Sequence, residues 1–124
     1  MDNQLLIGSP FETGAETPGP ILNPPTGGLI VEIPEASTAQ VDRAVAAARR
    51  AFDGWSRTTP AERSAALLRI ADRIEAEAGA FAALEALNCG KPINAATGDE
   101  LPAVIDCFRY FAGAVRCMTG ALAG

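Results

Sequence analysis

At 124 residues the chain is the size of one ordinary domain and can bury roughly two thirds of its unfolded surface. Ten Lys and Arg against fifteen Asp and Glu leave a net charge of −5, and Arg43, Arg49, Arg50 and Arg57 are interleaved with Asp42 and Asp53, so a nucleic-acid partner is not expected. Histidine is absent, which removes the commonest general base and the commonest metal ligand.

The first 36 residues read as strands and turns. Leu5-Leu6-Ile7 is a short apolar run stopped by Gly8-Ser9-Pro10, and Ala15 to Pro20 reads as a proline- and glycine-bearing loop. Ile21-Leu22 and Leu29-Ile30-Val31-Glu32-Ile33 flank the turn Asn23 to Gly28, a pattern that predicts a hairpin. Thr26-Gly27-Gly28 is not a phosphate loop, because no lysine followed by a hydroxyl residue comes after it. Gly90-Lys91 fails as well, since Pro92 stands where that hydroxyl belongs.

From Ser37 the apolar period lengthens to that of a helix. Ser37 and Gln40 form a capping box, and Val41, Ala44, Val45, Ala48, Phe52 and Trp55 are expected to make a buried stripe. A second start follows at Thr59, with Pro60 in the first helical position, Glu62 three residues after the cap, and Leu67, Leu68, Ile70, Ala71 and Ile74 as the core face. Gly79 is expected to mark a bend, after which Phe81, Leu84 and Leu87 carry a short helix to Gly90. Gly90 suits a left-handed helix end, Pro92 prevents continuation, and a last helix runs along Leu101, Val104, Ile105, Phe108, Phe111, Ala112 and Val115. Glu100 and Ala103 stand one turn apart near its start, either as a carboxylate favoured by the helix dipole or as part of a face that looks into a polar cavity.

Cys89, Cys107 and Cys117 are odd in number and lack paired spacing, so they read as ordinary helix thiols rather than disulfide partners or zinc ligands. Free thiols, an acidic N-terminal stretch and no apolar run of membrane-spanning length give the expectation of a cytoplasmic protein without a membrane partner. The residues alone give strands and a hairpin over 1–36 and four to five helices over 37–124. They contain no nucleophile–base pair and no glycine-rich cofactor loop.

In order and spacing, however, the chain resembles the N-terminal segment of the aldehyde dehydrogenase superfamily. The resemblance rests on Asn23-Pro24-Pro25-Thr26-Gly27, Ala36-Ser37 with Val41-Asp42 and Ala44-Val45, Ala51-Phe52 and Trp55, Pro60-Ala61-Glu62-Arg63, Leu67-Leu68 with Ala71-Asp72, Glu85, Gly90-Lys91-Pro92, and Phe108 to Gly113. Asn88 to Pro92 and Asp99 to Ala103 look most like γ-aminobutyraldehyde dehydrogenases, with betaine aldehyde dehydrogenases close behind. The resemblance implies an α/β enzyme of which this segment lacks the Rossmann-type sheet, with residues 37–124 flanking the domain that binds NAD(P). It implies NAD(P)-dependent oxidation of an aldehyde, such as 4-aminobutanal, to the carboxylic acid by a cysteine thiolate and a glutamate-activated water.

The family's catalytic cysteine, glutamate and oxyanion asparagine fall beyond the position matching Gly124, so this segment alone is expected to be inactive and to bind no cofactor. By the same resemblance Glu100 and Ala103 match the wall of the substrate tunnel, and Asn88 and Ile21 lie close to backbone carbonyls that hold a monovalent cation. The family's homo-oligomers imply packing through apolar helix faces onto the rest of the enzyme. The alternative is a truncated paralogue, a non-catalytic binding or regulatory module that docks on a full-length partner through those faces.

Overall fold

A computed structural model describes residues 3–9 and 11–119. The chain divides into two compact units, Met1–Arg57 and Thr58–Gly124.

In the first unit, β1 (Leu5–Leu6) pairs antiparallel with β2 (Phe11–Glu12), Leu5 opposite Glu12 and Leu6 opposite Phe11. The expected hairpin is β3 (Pro18–Leu22) against β4 (Leu29–Pro34), with Ile21 opposite Val31. It reaches further back than the sequence pattern predicts, because Pro18 and Pro20 lie in the strand rather than in a loop. A two-stranded ribbon leaves each strand one free edge, where a residue without an N–H removes no ladder bond. The turn closes through the Asn23 N–H, which donates to the Gly28 carbonyl at 2.8 Å, with Gly27 in the left-handed region at φ 68°.

Helix α1 (Thr38–Trp55) starts at the expected capping box of Ser37 and Gln40. Gln40 does more than cap. Its side chain is buried, its Nε2 donates to the Thr13 carbonyl at 2.8 Å, and its Oε1 accepts from the N–H groups of Ala15 at 2.9 Å and Ser37 at 3.0 Å. One side chain therefore joins the helix start to the segment before β3. Gly14 sits within that segment, where a Cβ would lie 2.1 Å from the Pro34 carbonyl oxygen, so only glycine lets the two backbones approach. The stripe along α1 has helical period but is not buried: Val41, Val45 and Trp55 are half exposed and Phe52 is 65% exposed. Two short ribbons supply too little apolar surface to cover a helix of 18 residues. Among the described residues of this unit no hydrophobic side chain is fully buried.

The second unit is helical. Thr59 and Glu62 form the second capping box, opening α2 (Pro60–Ala76), which is followed by α3 (Ala78–Cys89), α4 (Ile93–Ala95), a π-helical turn (Ala96–Glu100) and α5 (Leu101–Ala114). The bend between α2 and α3 falls at Glu77, two residues before Gly79, which lies inside α3. Glu77 turns with φ −108° and ψ 13° while its N–H still reaches the Arg73 and Glu75 carbonyls, and its own carbonyl accepts from the Ala80 and Phe81 N–H groups.

Helices α2 and α5 make the largest contact of the unit. Ser64 and Ala71 on α2 and Ile105 and Ala112 on α5 are buried. Small side chains let the helices approach closely. Of the expected α2 face, Ala71 is fully buried and Leu67 and Ile74 half so, while Leu68 and Ile70 are exposed. Arg109 fastens the pair, its Nη2 reaching Glu75 at 2.6 Å and Asp72 at 3.4 Å, and Nη1 reaching the other Glu75 oxygen at 3.3 Å.

Gln40→Leu strips partners from three backbone groups and is expected to cost about 3 kcal/mol, against about 1 kcal/mol for the cap variant Thr59→Ala. Denaturant midpoints measure both, and a Gln40→Leu protein as stable as the parent would contradict this account of the first unit.

Candidate functional site

The candidate site grows from the way α3 ends. Gly90 adopts φ 69° and its N–H donates to the Ala86 carbonyl, while Pro92, at φ −59°, has no N–H to continue the helix. Lys91 is held between these two fixed residues. Its Nζ lies 2.9 Å from Glu85 Oε1, two turns back on α3, and 2.6 Å from Glu100 Oε2, at the end of the π-helical turn.

The π-helical turn is what brings Glu100 there. The Leu101 N–H reaches back to the Ala96 carbonyl, five residues rather than four, and the Thr97 hydroxyl donates to the Ile93 carbonyl at 3.0 Å. One inserted residue rotates the downstream helix by about 100° relative to an unbroken one. The connection between α3 and α5 is thus itself helical, and Glu100 is not in the first turn of a free helix end. It makes no side-chain capping bond to α5.

Glu85 and Glu100 both border a groove of about 210 Å³, together with Phe81, Ala96, Leu101 and Val104. The groove has an apolar floor and a carboxylate rim. Lys91 hydrogen-bonds Glu85 and adds its charge, which holds the Glu85 carboxyl below the ordinary value of 4.5, and the two carboxylates push the Lys91 ammonium upward. With one lysine between two glutamates, the rim carries a net charge of −1 at neutral pH.

Of the residues named from the sequence, Glu100 is brought to Lys91 and Glu85. Ala103 is exposed on α5, one turn beyond Glu100, and is not part of the groove lining. Asn88 is exposed in the last turn of α3. The donor its carbonyl would meet in a continued helix belongs to Pro92, which has none. Ile21 is half-buried in β3, where the ladder slips between Ile21 and Leu22. Asn88 and Ile21 lie in separate units.

Cys89, Cys107 and Cys117 are exposed free thiols, and no group of three or more His, Cys, Asp or Glu among the described residues is placed to hold a metal ion. No helix is long and apolar enough to cross a membrane. Gly27-Gly28 runs into a strand rather than a helix, so it is not a nucleotide phosphate cradle. Sequence reasoning named neither Glu85 nor Lys91 as site residues. The available signal was the lysine fixed between a helix-ending glycine and a proline.

Glu85, Glu75 and Glu62 all titrate below the ordinary 4.5, drawn down by Lys91, Arg109 and the Thr59 backbone N–H respectively. A carboxyl depressed in the folded state adds stability above its unfolded value and loses it as pH falls through the folded one. Stability is therefore expected to be level from about pH 5 up to the alkaline range where the raised Lys91 ammonium begins to matter, and to fall below pH 4.5. Lys91→Met should return the Glu85 carboxyl toward the ordinary range in an NMR titration; an unmoved Glu85 would contradict the Lys91 assignment.

Known proteins place these residues in a wider context. Residues 11–123 match the model of the aldehyde dehydrogenase family. A fluoroacetaldehyde dehydrogenase of Streptantibioticus cattleyicolor is 46% identical over 99 residues, which is 80% of this chain and 20% of that protein. Among solved structures, PnpE in complex with nicotinamide adenine dinucleotide superposes with a TM-score of 0.93 at 42% identity, over 100% of this chain and 26% of that one. A γ-glutamyl-γ-aminobutyraldehyde dehydrogenase of Burkholderia cenocepacia J2315 superposes at 0.85 with 32% identity, over 94% of this chain and 24% of that one. The chain spans about a fifth of the length of the curated relatives it matches. On the family match and these identities, the chain belongs to the aldehyde dehydrogenase family.

Proposed function

We propose that these residues are the N-terminal part of an NAD(P)-dependent aldehyde dehydrogenase that oxidises an aldehyde to its carboxylic acid. The observation that carries this reading is the similarity to NAD-bound PnpE along the whole chain. Bound NAD(P) would accept hydride from the substrate. The part we assign to this segment is binding and orienting substrate and supporting the remaining domains. The exposed faces fit the second task. Val41, Val45, Phe52 and Trp55 on α1, and Phe81, Leu84 and Phe111 in the helical unit, are apolar surface suited to packing on the rest of the enzyme and, in an oligomer, on other subunits.

For the substrate we propose an aldehyde bearing an amino group, with Glu100 as its partner at the groove; Ala103, one turn along α5 and outside the groove lining, is proposed to leave width in the tunnel wall of the whole enzyme. A rim of net charge −1 above an apolar floor suits an ammonium on a short hydrocarbon chain. One observation favours a second reading, a short neutral aldehyde: Lys91 already occupies one Glu100 oxygen. Monovalent-cation binding by the Asn88 carbonyl and by the Ile21 carbonyl, each within its own unit, is likewise proposed, and dependence of activity or stability on potassium tests it.

In the full-length enzyme Glu100→Gln is expected to raise KM for 4-aminobutanal about tenfold and to leave KM for butanal within about twofold. An unchanged KM for 4-aminobutanal would remove the aminoaldehyde assignment and leave the neutral reading.

A further inference from the structure

Three charged side chains meet at the groove, yet the substrate reading makes only Glu100 a partner of the substrate and gives Glu85 and Lys91 no role of their own. Lys91 is a single ammonium shared by Glu85 at 2.9 Å and Glu100 at 2.6 Å, and it is the least exposed of the three side chains, at 28% against 43% and 47%. Both carboxylates border the groove while the lysine does not, so the lysine contributes charge to the rim without contacting what lies in the groove. Its backbone is fixed by Gly90 before it and Pro92 after it, and its second partner is delivered by the π-helical turn. A lysine on a loose loop would swing between partners. This one is built to bridge.

We infer that Glu85 and Lys91 are specificity-determining residues: together with Glu100 they form one charge unit, and its net charge sets the preference of the groove for cationic over neutral aldehydes. This inference rests on the reading that Glu100 borders the path of the substrate. The charge count gives an order. Lys91→Met leaves the rim at −2, the parent stands at −1, and Glu85→Gln and Glu100→Gln each leave it at zero. A contact made by Glu100 alone predicts something different, because Glu85→Gln would then do nothing. At these separations, in a partly solvated groove, one unit of charge changes the capture of a cation by about threefold to tenfold at low salt.

The test measures kcat/KM for 4-aminobutanal divided by kcat/KM for butanal in the full-length enzyme and its variants, at low ionic strength. The ratio is expected to rise at least threefold in Lys91→Met and to fall at least threefold, and to a similar extent, in both Glu85→Gln and Glu100→Gln. Lys91→Arg should resemble the parent, and added salt should compress the whole series. A purely structural role for the cluster would move both substrates together and leave the ratio alone. If Glu100→Gln lowers the ratio while Glu85→Gln does not, the inference is overturned and the substrate reading stands. A fall in Lys91→Met would also overturn it, since the lysine would then be holding Glu100 in place rather than setting the charge. If no variant moves the ratio, Glu100 lies off the substrate path and the substrate reading fails as well. The two glutamate variants suffice to decide should Lys91→Met not fold.

Discussion

The ammonium of Lys91 between two carboxylates is the interaction on which the candidate site depends. It joins the end of α3 to the π-helical turn, and so fixes which side chains border the groove between them. Each ion pair is partly exposed, and an isolated pair of that kind contributes little to stability. The importance of the cluster therefore lies in placement and charge. A left-handed glycine, a bridging lysine and a proline in sequence make a helix end that cannot drift, and the π-helical turn supplies the one-residue shift that puts Glu100 within reach.

The two units are held together internally by different means. In the first, a buried glutamine does the tying: Gln40 satisfies backbone groups at Thr13, Ala15 and Ser37, and the apolar stripe of α1 is left uncovered. In the second, α2 and α5 approach through alanines, with Arg109 clasping Asp72 and Glu75 at the edge. Buried alanines contribute little transfer free energy each, and fixing the chain costs about 1–2 kcal/mol per residue. A fold that exposes Phe52, Trp55 and Phe111 is short of apolar burial by itself. This fits a segment spanning about a fifth of its relatives, whose larger side chains have surface to meet elsewhere.

Much of this was legible in the sequence wherever a rule is local. Ser37 with Gln40 and Thr59 with Glu62 mark two helix starts, Gly90 with Pro92 marks a helix end, and the run around Asn23 to Gly28 marks a hairpin. Periodicity gives the face of α1 but not its burial, because burial depends on what lies opposite. A glycine was the natural place for a bend, yet the break falls at Glu77, since a helix tolerates Gly79 and α3 starts one residue before it. The π-helical turn had no readable signal: Ala96 to Glu100 holds residues that suit an ordinary helix or a loop equally well. Without that turn the meeting of Lys91 and Glu100, nine residues apart, could not be foreseen. The long-range role of Gln40 was hidden for the same reason, because its second partner lies 27 residues away.

The central claim, that these residues belong to an aldehyde-oxidising enzyme, is tested most directly by the rate of NADH formation by the native gene product purified from its source. The account predicts aldehyde-dependent NADH formation by a polypeptide about four to five times the length of this chain. A purified product of this length alone that forms no NADH with 4-aminobutanal or butanal would contradict it.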